Sequence, residues 1–141
     1  MKIETHIHIQ STPEKVWSVL MDFETYPQWN PFIKSVKGKI QLGQRITVDL
    51  QGMTFKPKII KYHKNRSFSW LGKLLFQGIF DGQHSFDLVE NKYGGTDFIQ
   101  SEKFSGLLVP FLKSKLLNET LPAFELMNKK LKERVEATSI L

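Results

Sequence analysis

The chain has 141 residues, a formal charge of +6 and no cysteine. That length supports one substantial hydrophobic core and not two, so a single domain over residues 1–141 is expected. With 24% charged and 40% hydrophobic residues the balance is globular, and the missing thiols exclude disulfide frameworks, thiolate catalysis and sulfur-based zinc sites.

The first ten residues, MKIETHIHIQ, alternate polar and apolar positions, which predicts a half-buried strand with Ile3, Ile7 and Ile9 inward. They lack the apolar run of a secretory signal, and no segment approaches the roughly 20 apolar residues of a spanning helix, so a cytoplasmic, reducing location is expected. His6 and His8 share the outer face of this strand; without a third ligand nearby they do not predict a metal site. Ser11-Thr12-Pro13-Glu14 then supplies a hydroxyl cap, a first-turn proline and an acidic residue at the positive end of a dipole. A helix over 13–21 follows, with Val16, Trp17 and Leu20 as its buried stripe.

The next stretch, DFETYPQWNPFI at 22–33, holds four aromatic residues and two prolines. The prolines restrict both themselves and the residues before them, predicting an irregular apolar elbow. It either plugs one end of the core or lines the mouth of a cavity. Strands are then expected at 34–40, 45–51, 53–63, 67–72, 79–90 and 96–105, with turns at Leu42-Gly43-Gln44, Gln51-Gly52 and Asn91 to Gly95. Pro57 marks an edge, bulge or bend. From Leu107 the period becomes helical: Leu112, Leu116, Phe124, Met127, Leu131 and Val135 recur mostly every three or four residues, with Pro122 expected to kink or divide the helix near 118–120.

The order strand, helix, elbow, six strands, long helix describes an α+β fold with a seven-stranded antiparallel meander. Such a sheet curls, and the last helix is the only element long enough to cover it. A bent sheet and a straight rod meet poorly along their length, so large side chains fill the gap or a deep apolar cavity persists, the kind of place where small molecules bind.

The signature STPEKVWSVLMDFETYPQWNPF after the first strand, the segment GGTDFIQSEKFSGLLVPFL closing the strand series, and a terminal helix carrying FELMNKKLKER resemble the START-like (SRPBCC) superfamily over nearly the whole chain. The closer likeness is to its small bacterial members of polyketide cyclase/dehydrase type. That resemblance implies a helix-grip fold, two short helices after the first strand, and a hydrophobic tunnel between sheet and last helix that takes lipids, polyketides, quinones or similar molecules. Pro122 and the leucine-rich GLLVPFLKSKLL depart from the usual pattern at one end of the tunnel. Carried onto this chain, the elbow rings Phe23, Tyr26, Trp29 and Phe32 form a floor or gate, with plain core packing as the alternative. Phe55, Trp70, Phe80, Phe86 and Phe98 line the sheet side, and Leu112, Leu116, Phe124 and Met127 the helix side.

Counting back from the Asn91–Gly95 turn pairs Leu88 with Phe98, Phe86 with Gln100 and His84 with Glu102, all on the inward face. His84, Gln100 and Glu102 are then polar groups on an apolar wall. A His84–Glu102 hydrogen bond satisfies them economically; alternatively they anchor a ligand oxygen, or His84 and Glu102 act as acid and base. No nucleophile elbow, zinc helix, phosphate loop or dinucleotide fingerprint occurs, and no cofactor is called for. The lysines are scattered, and no basic aromatic motif of an RNA-binding type surrounds Phe68 and Trp70 in SFSW, which argues against nucleic acid. Leu107 to Leu112, beside Lys113 and Lys115, suit transient contact with a membrane surface. The sequence thus favours a non-enzymatic carrier or sensor of a small hydrophobic molecule. The alternatives are a cyclase or dehydratase using the same cavity, and a scaffold whose cavity is residual packing.

Overall fold

The computed structural model describes residues 1–50, 52–74 and 78–139. Gln51, placed by the sequence in a hairpin turn, lies outside them. Strand β1 (Lys2–Ile9) leads into α1 (Pro13–Leu20), where Thr12 Oγ1 accepts from the Lys15 N–H at 3.3 Å and Pro13 opens the first turn. Val16, Trp17 and Leu20 are its buried stripe.

The elbow is more regular than expected. Phe23–Thr25 form a 3₁₀ turn and Tyr26–Trp29 a one-turn helix, α2, with Pro27 in the first turn, where no backbone N–H is needed. Asn30 Oδ1 accepts from the N–H groups of Phe32 and Ile33 at 2.9 and 2.8 Å, which turns the chain into β2 (Ile33–Lys37).

Strands β3 (Thr47–Leu50) and β4 (Met53–Phe55) complete a three-stranded sheet in the order β2-β3-β4. Strands β5 (Lys58–His63), β6 (Ser67–Leu74), β7 (Phe80–Glu90) and β8 (Thr96–Ser105) join β1 in a five-stranded sheet ordered β1-β8-β7-β6-β5. The expected single sheet of seven strands is therefore eight strands in two sheets. The expected strand 53–63 breaks at Lys56-Pro57, because proline has no N–H for a ladder and restricts the residue before it. The sheets stay stitched where Ile46 N–H donates to Pro57 O at 3.0 Å and Ile59 N–H to Gln44 O at 2.9 Å.

Helix α3 (Val109–Ser139) runs unbroken through Pro122, so the expected division near 118–120 does not occur. Pro122 is exposed, so water can serve the carbonyl that loses its partner, while Leu121 and Phe124 on either side pack inward. The helix lies along β1 and β8. Its second half joins the larger core cluster through Met127, Leu131 and Val135; its first half reaches only a smaller one, around Ile3, Phe104, Val109 and Phe124. This is the helix-grip arrangement: a curved antiparallel sheet and a long C-terminal helix.

Candidate functional site

The β7–β8 register is the one counted from the turn: Leu88 faces Phe98, Phe86 faces Gln100 and His84 faces Glu102. Phe86, Phe98, His84 and Gln100 are buried, and Glu102 keeps 18% of its side chain exposed. Trp70, directly across from His84 on β6, stacks on its imidazole with centroids 5.2 Å apart, and Phe124 of α3 meets the same ring edge-on at 5.0 Å.

The polar groups form a chain whose direction is fixed at two backbone carbonyls. Thr5 Oγ1 donates to Gln100 O at 3.1 Å, and therefore accepts from Asn128 Nδ2 at 2.8 Å. Asn128 Oδ1 then accepts from Gln100 Nε2 at 2.8 Å; this nitrogen also donates to Phe124 O at 3.4 Å. Gln100 Oε1 is left facing His84 Nε2 at 3.0 Å, so that nitrogen carries a proton. His84 Nδ1 meets Glu102 Oε1 at 3.4 Å, a long contact that is attractive only if one further proton lies between them. Both the economical hydrogen bond and the acid–base candidate from the sequence lie in this one arrangement. Thr5 and Asn128 were missed; their signal was a threonine in the inward series Ile3-Thr5-Ile7-Ile9 and an asparagine beside Met127 on the buried helix face.

The elbow splits. Tyr26 and Trp29 are buried, with Tyr26 Oη donating to Leu20 O at 2.5 Å, and burial pushes the Tyr26 phenol well above its ordinary pKa. Phe23 and Phe32 are half-buried against the same cluster. Trp29 Nε1 and Asn30 Nδ2 are buried donors without a hydrogen-bond partner. Among the described residues neither donor finds an acceptor, and leaving such donors unpaired costs about 1–3 kcal/mol each. Phe55, Phe80, Leu112 and Leu116 are half-buried, and Met127 is buried.

Two clefts are described, and none of the sixteen residues expected to touch ligand lines either. One, of about 830 Å³, lies between the start of α1, the β5–β6 turn and the end of β7; the other, of about 290 Å³, is formed by residues such as Gln83, Ser101 and Lys103 on the outer sheet face. His6 and His8 are exposed, His6 beside Glu4 and His8 beside Asp97. Among the described residues, no helix is long and apolar enough to cross a membrane.

The chain is similar in structure to protein MLL2253 from Mesorhizobium loti, at 16% identity and TM-score 0.79 with 98% of each chain covered. It is similar to a START superfamily protein from Mycobacterium smegmatis, at 24% identity and TM-score 0.72 over 97% and 98% of the two chains. DynU16, from the dynemicin biosynthetic locus, matches at 14% identity and TM-score 0.75 over 96% of this chain and 47% of its own. At these identities the likeness is one of fold. No curated protein sequence matches. Residues 1–136 match the sequence family described as polyketide cyclase / dehydrase and lipid transport, and the chain belongs to that family.

Proposed function

We propose that the protein binds and carries a small hydrophobic molecule, of lipid, polyketide or quinone type, in the space between the sheet and α3. The observation that carries this reading is an interior its own chain does not finish covering. Phe55, Phe80, Leu112 and Leu116 stay half-buried at the end where the first half of α3 stands, while the other end is closed by fully buried side chains. Burying about 300 Å² of ligand surface there contributes about 7 kcal/mol before association costs, enough for micromolar binding. Family membership supports the same class of ligand.

Leu107 and Phe111 are 72% and 84% exposed at the start of α3, with Lys113 and Lys115 exposed close by. Apolar side chains ringed by cations suit brief docking on an anionic membrane while ligand is exchanged.

The test is native mass spectrometry of freshly purified protein, joined to a thermal-shift screen of apolar compounds. A retained apolar mass and a raised Tm support carriage; a bare chain that no apolar compound stabilises rejects it.

The contact of His84 Nδ1 with Glu102 Oε1 at 3.4 Å favours a second reading, acid–base chemistry of cyclase or dehydratase type on the same ligand. Turnover of a polyketide-type substrate that disappears in His84→Ala and Glu102→Gln, with binding kept, would establish it. Binding without turnover leaves the carrier.

A further inference from the structure

The chain contains nine glycines. Six adopt positive φ, and a seventh, Gly95, is packed so that a Cβ would lie 2.6 Å from the His8 ring. Gly72 and Gly82 have neither excuse. Their backbones are ordinary strand, and a methyl would meet the Phe55 ring at 3.5 Å and Gly82 O at 3.9 Å from Gly72, or the Glu102 carboxyl from 3.4 Å at Gly82, ordinary contact distances. Glycine in a strand interior costs about 0.5–1 kcal/mol relative to alanine. These two are directly paired across β6 and β7, one step from the Trp70–His84 pair and on the same inward face. Strand glycines that strain does not require mark a strong bend or a surface that another group approaches closely.

What adjoins them favours the second. Glu102 hangs over Gly82 as the last member of the Thr5–Asn128–Gln100–His84 chain and is the only one of the five that is not buried. Its Oε1 is taken by His84. Its Oε2 is given no hydrogen bond by the described residues. A carboxylate oxygen accepts hydrogen bonds, so Oε2 is placed to take one from a donor. The rings beside this patch, Phe55, Phe80 and Trp70, are apolar.

We propose that the Gly72–Gly82 patch is a ligand subsite, in which an otherwise apolar molecule packs beside Phe55 over the two strands and donates a hydroxyl to Glu102 Oε2. This rests on the ligand-binding reading and narrows it to molecules bearing an alcohol, phenol or enol. Bulk at either glycine position then sets specificity by closing the floor.

The experiment uses matched probes that differ in the donor alone: 2-naphthol against 2-methoxynaphthalene, and 1-dodecanol against dodecyl methyl ether. In the wild-type chain at least one hydroxyl compound should bind about tenfold more tightly than its ether. Glu102→Met should erase that preference while the ether still binds. Gly82→Ala and Gly72→Ala should weaken both members of the pair about tenfold, with Tm equal to or above that of the wild type. Equal affinity for both members overturns the subsite and leaves hydrophobic binding intact. So does unchanged affinity in both alanine variants, or a Tm drop of several degrees with affinity kept, which would assign the glycines to a bend. If neither pair binds, the ligand-binding reading fails and this inference with it.

Discussion

The two halves of α3 share one helical period and lie along the same two strands, β1 and β8, yet they are buried very differently. From Met127 to Val135 the inward positions are sealed under α1, the elbow and the sheet: Leu131 and Val135 are fully buried, as are Val16 and Leu20 opposite them. From Val109 to Leu121 the same spacing yields half-covered leucines inward and exposed Phe111 and Leu117 outward. Apolar periodicity fixes which way a helix faces but not how completely it is covered. The sealed half holds the fold together, and the open half is where a ligand is expected to arrive.

The sharpest way to break this comparison is to cut side chains from each half. Leu131→Ala should cost about 3 kcal/mol, measured by urea unfolding, because it empties a fully enclosed site. A loss under about 1 kcal/mol would show that the sealed half is looser than it looks. Tyr26→Phe removes the buried hydrogen bond to Leu20 and leaves a carbonyl unpaired, for a loss of about 1.5 kcal/mol.

The same phenol gives a pH signature. Its pKa is raised by burial, so the stability it contributes is complete below the unfolded value near 10 and falls away as pH rises beyond it. Absorbance titration should show Tyr26 ionising only together with unfolding, and ionisation in the folded chain would contradict the burial assigned to it. Phe111→Ser, in the open half, should change stability by less than about 0.5 kcal/mol while reducing binding to anionic vesicles. A large loss of stability there would mean the open half is structural after all.

Smallest is Glu136→Gln. Lys132, by its hydrogen bond, holds this carboxyl below its usual range, aided by the Gln10 N–H. Stability from a lowered carboxylate is present above the unfolded value near 4.5 and is lost as pH falls through the folded one. The site is largely solvated, so about 0.3 kcal/mol is expected, and the wild type's advantage should vanish in acid.

Where periodicity and turn chemistry agree, the sequence was readable. The β7–β8 register followed from one Asn-Lys-Tyr-Gly-Gly turn and strict alternation, which placed His84 across from Glu102. The break at Pro57 was signalled, but whether it bent one strand or separated two depended on the contacts of 43–46 with the start of β5, which are not local. Of the two outcomes expected at Pro122, division did not occur, because its cost depends on exposure of that face, which only packing decides. The polar chain was half legible: His84, Gln100 and Glu102 stand out on an aromatic wall, whereas Thr5 and Asn128 join them only once β1 and α3 dock. Gly72 and Gly82 became informative when the space around them was known.

The account stands on an apolar ligand lying between the sheet and the first half of α3. Amide chemical-shift mapping with a bound apolar compound tests this most directly. The largest shifts should fall at Phe55, Phe80, Gly82, Glu102, Leu112 and Leu116, on facing elements around one interior. Shifts confined to the outer clefts, at Lys64 to Ser67 or at Gln83 and Lys103 with their inward neighbours silent, would contradict it.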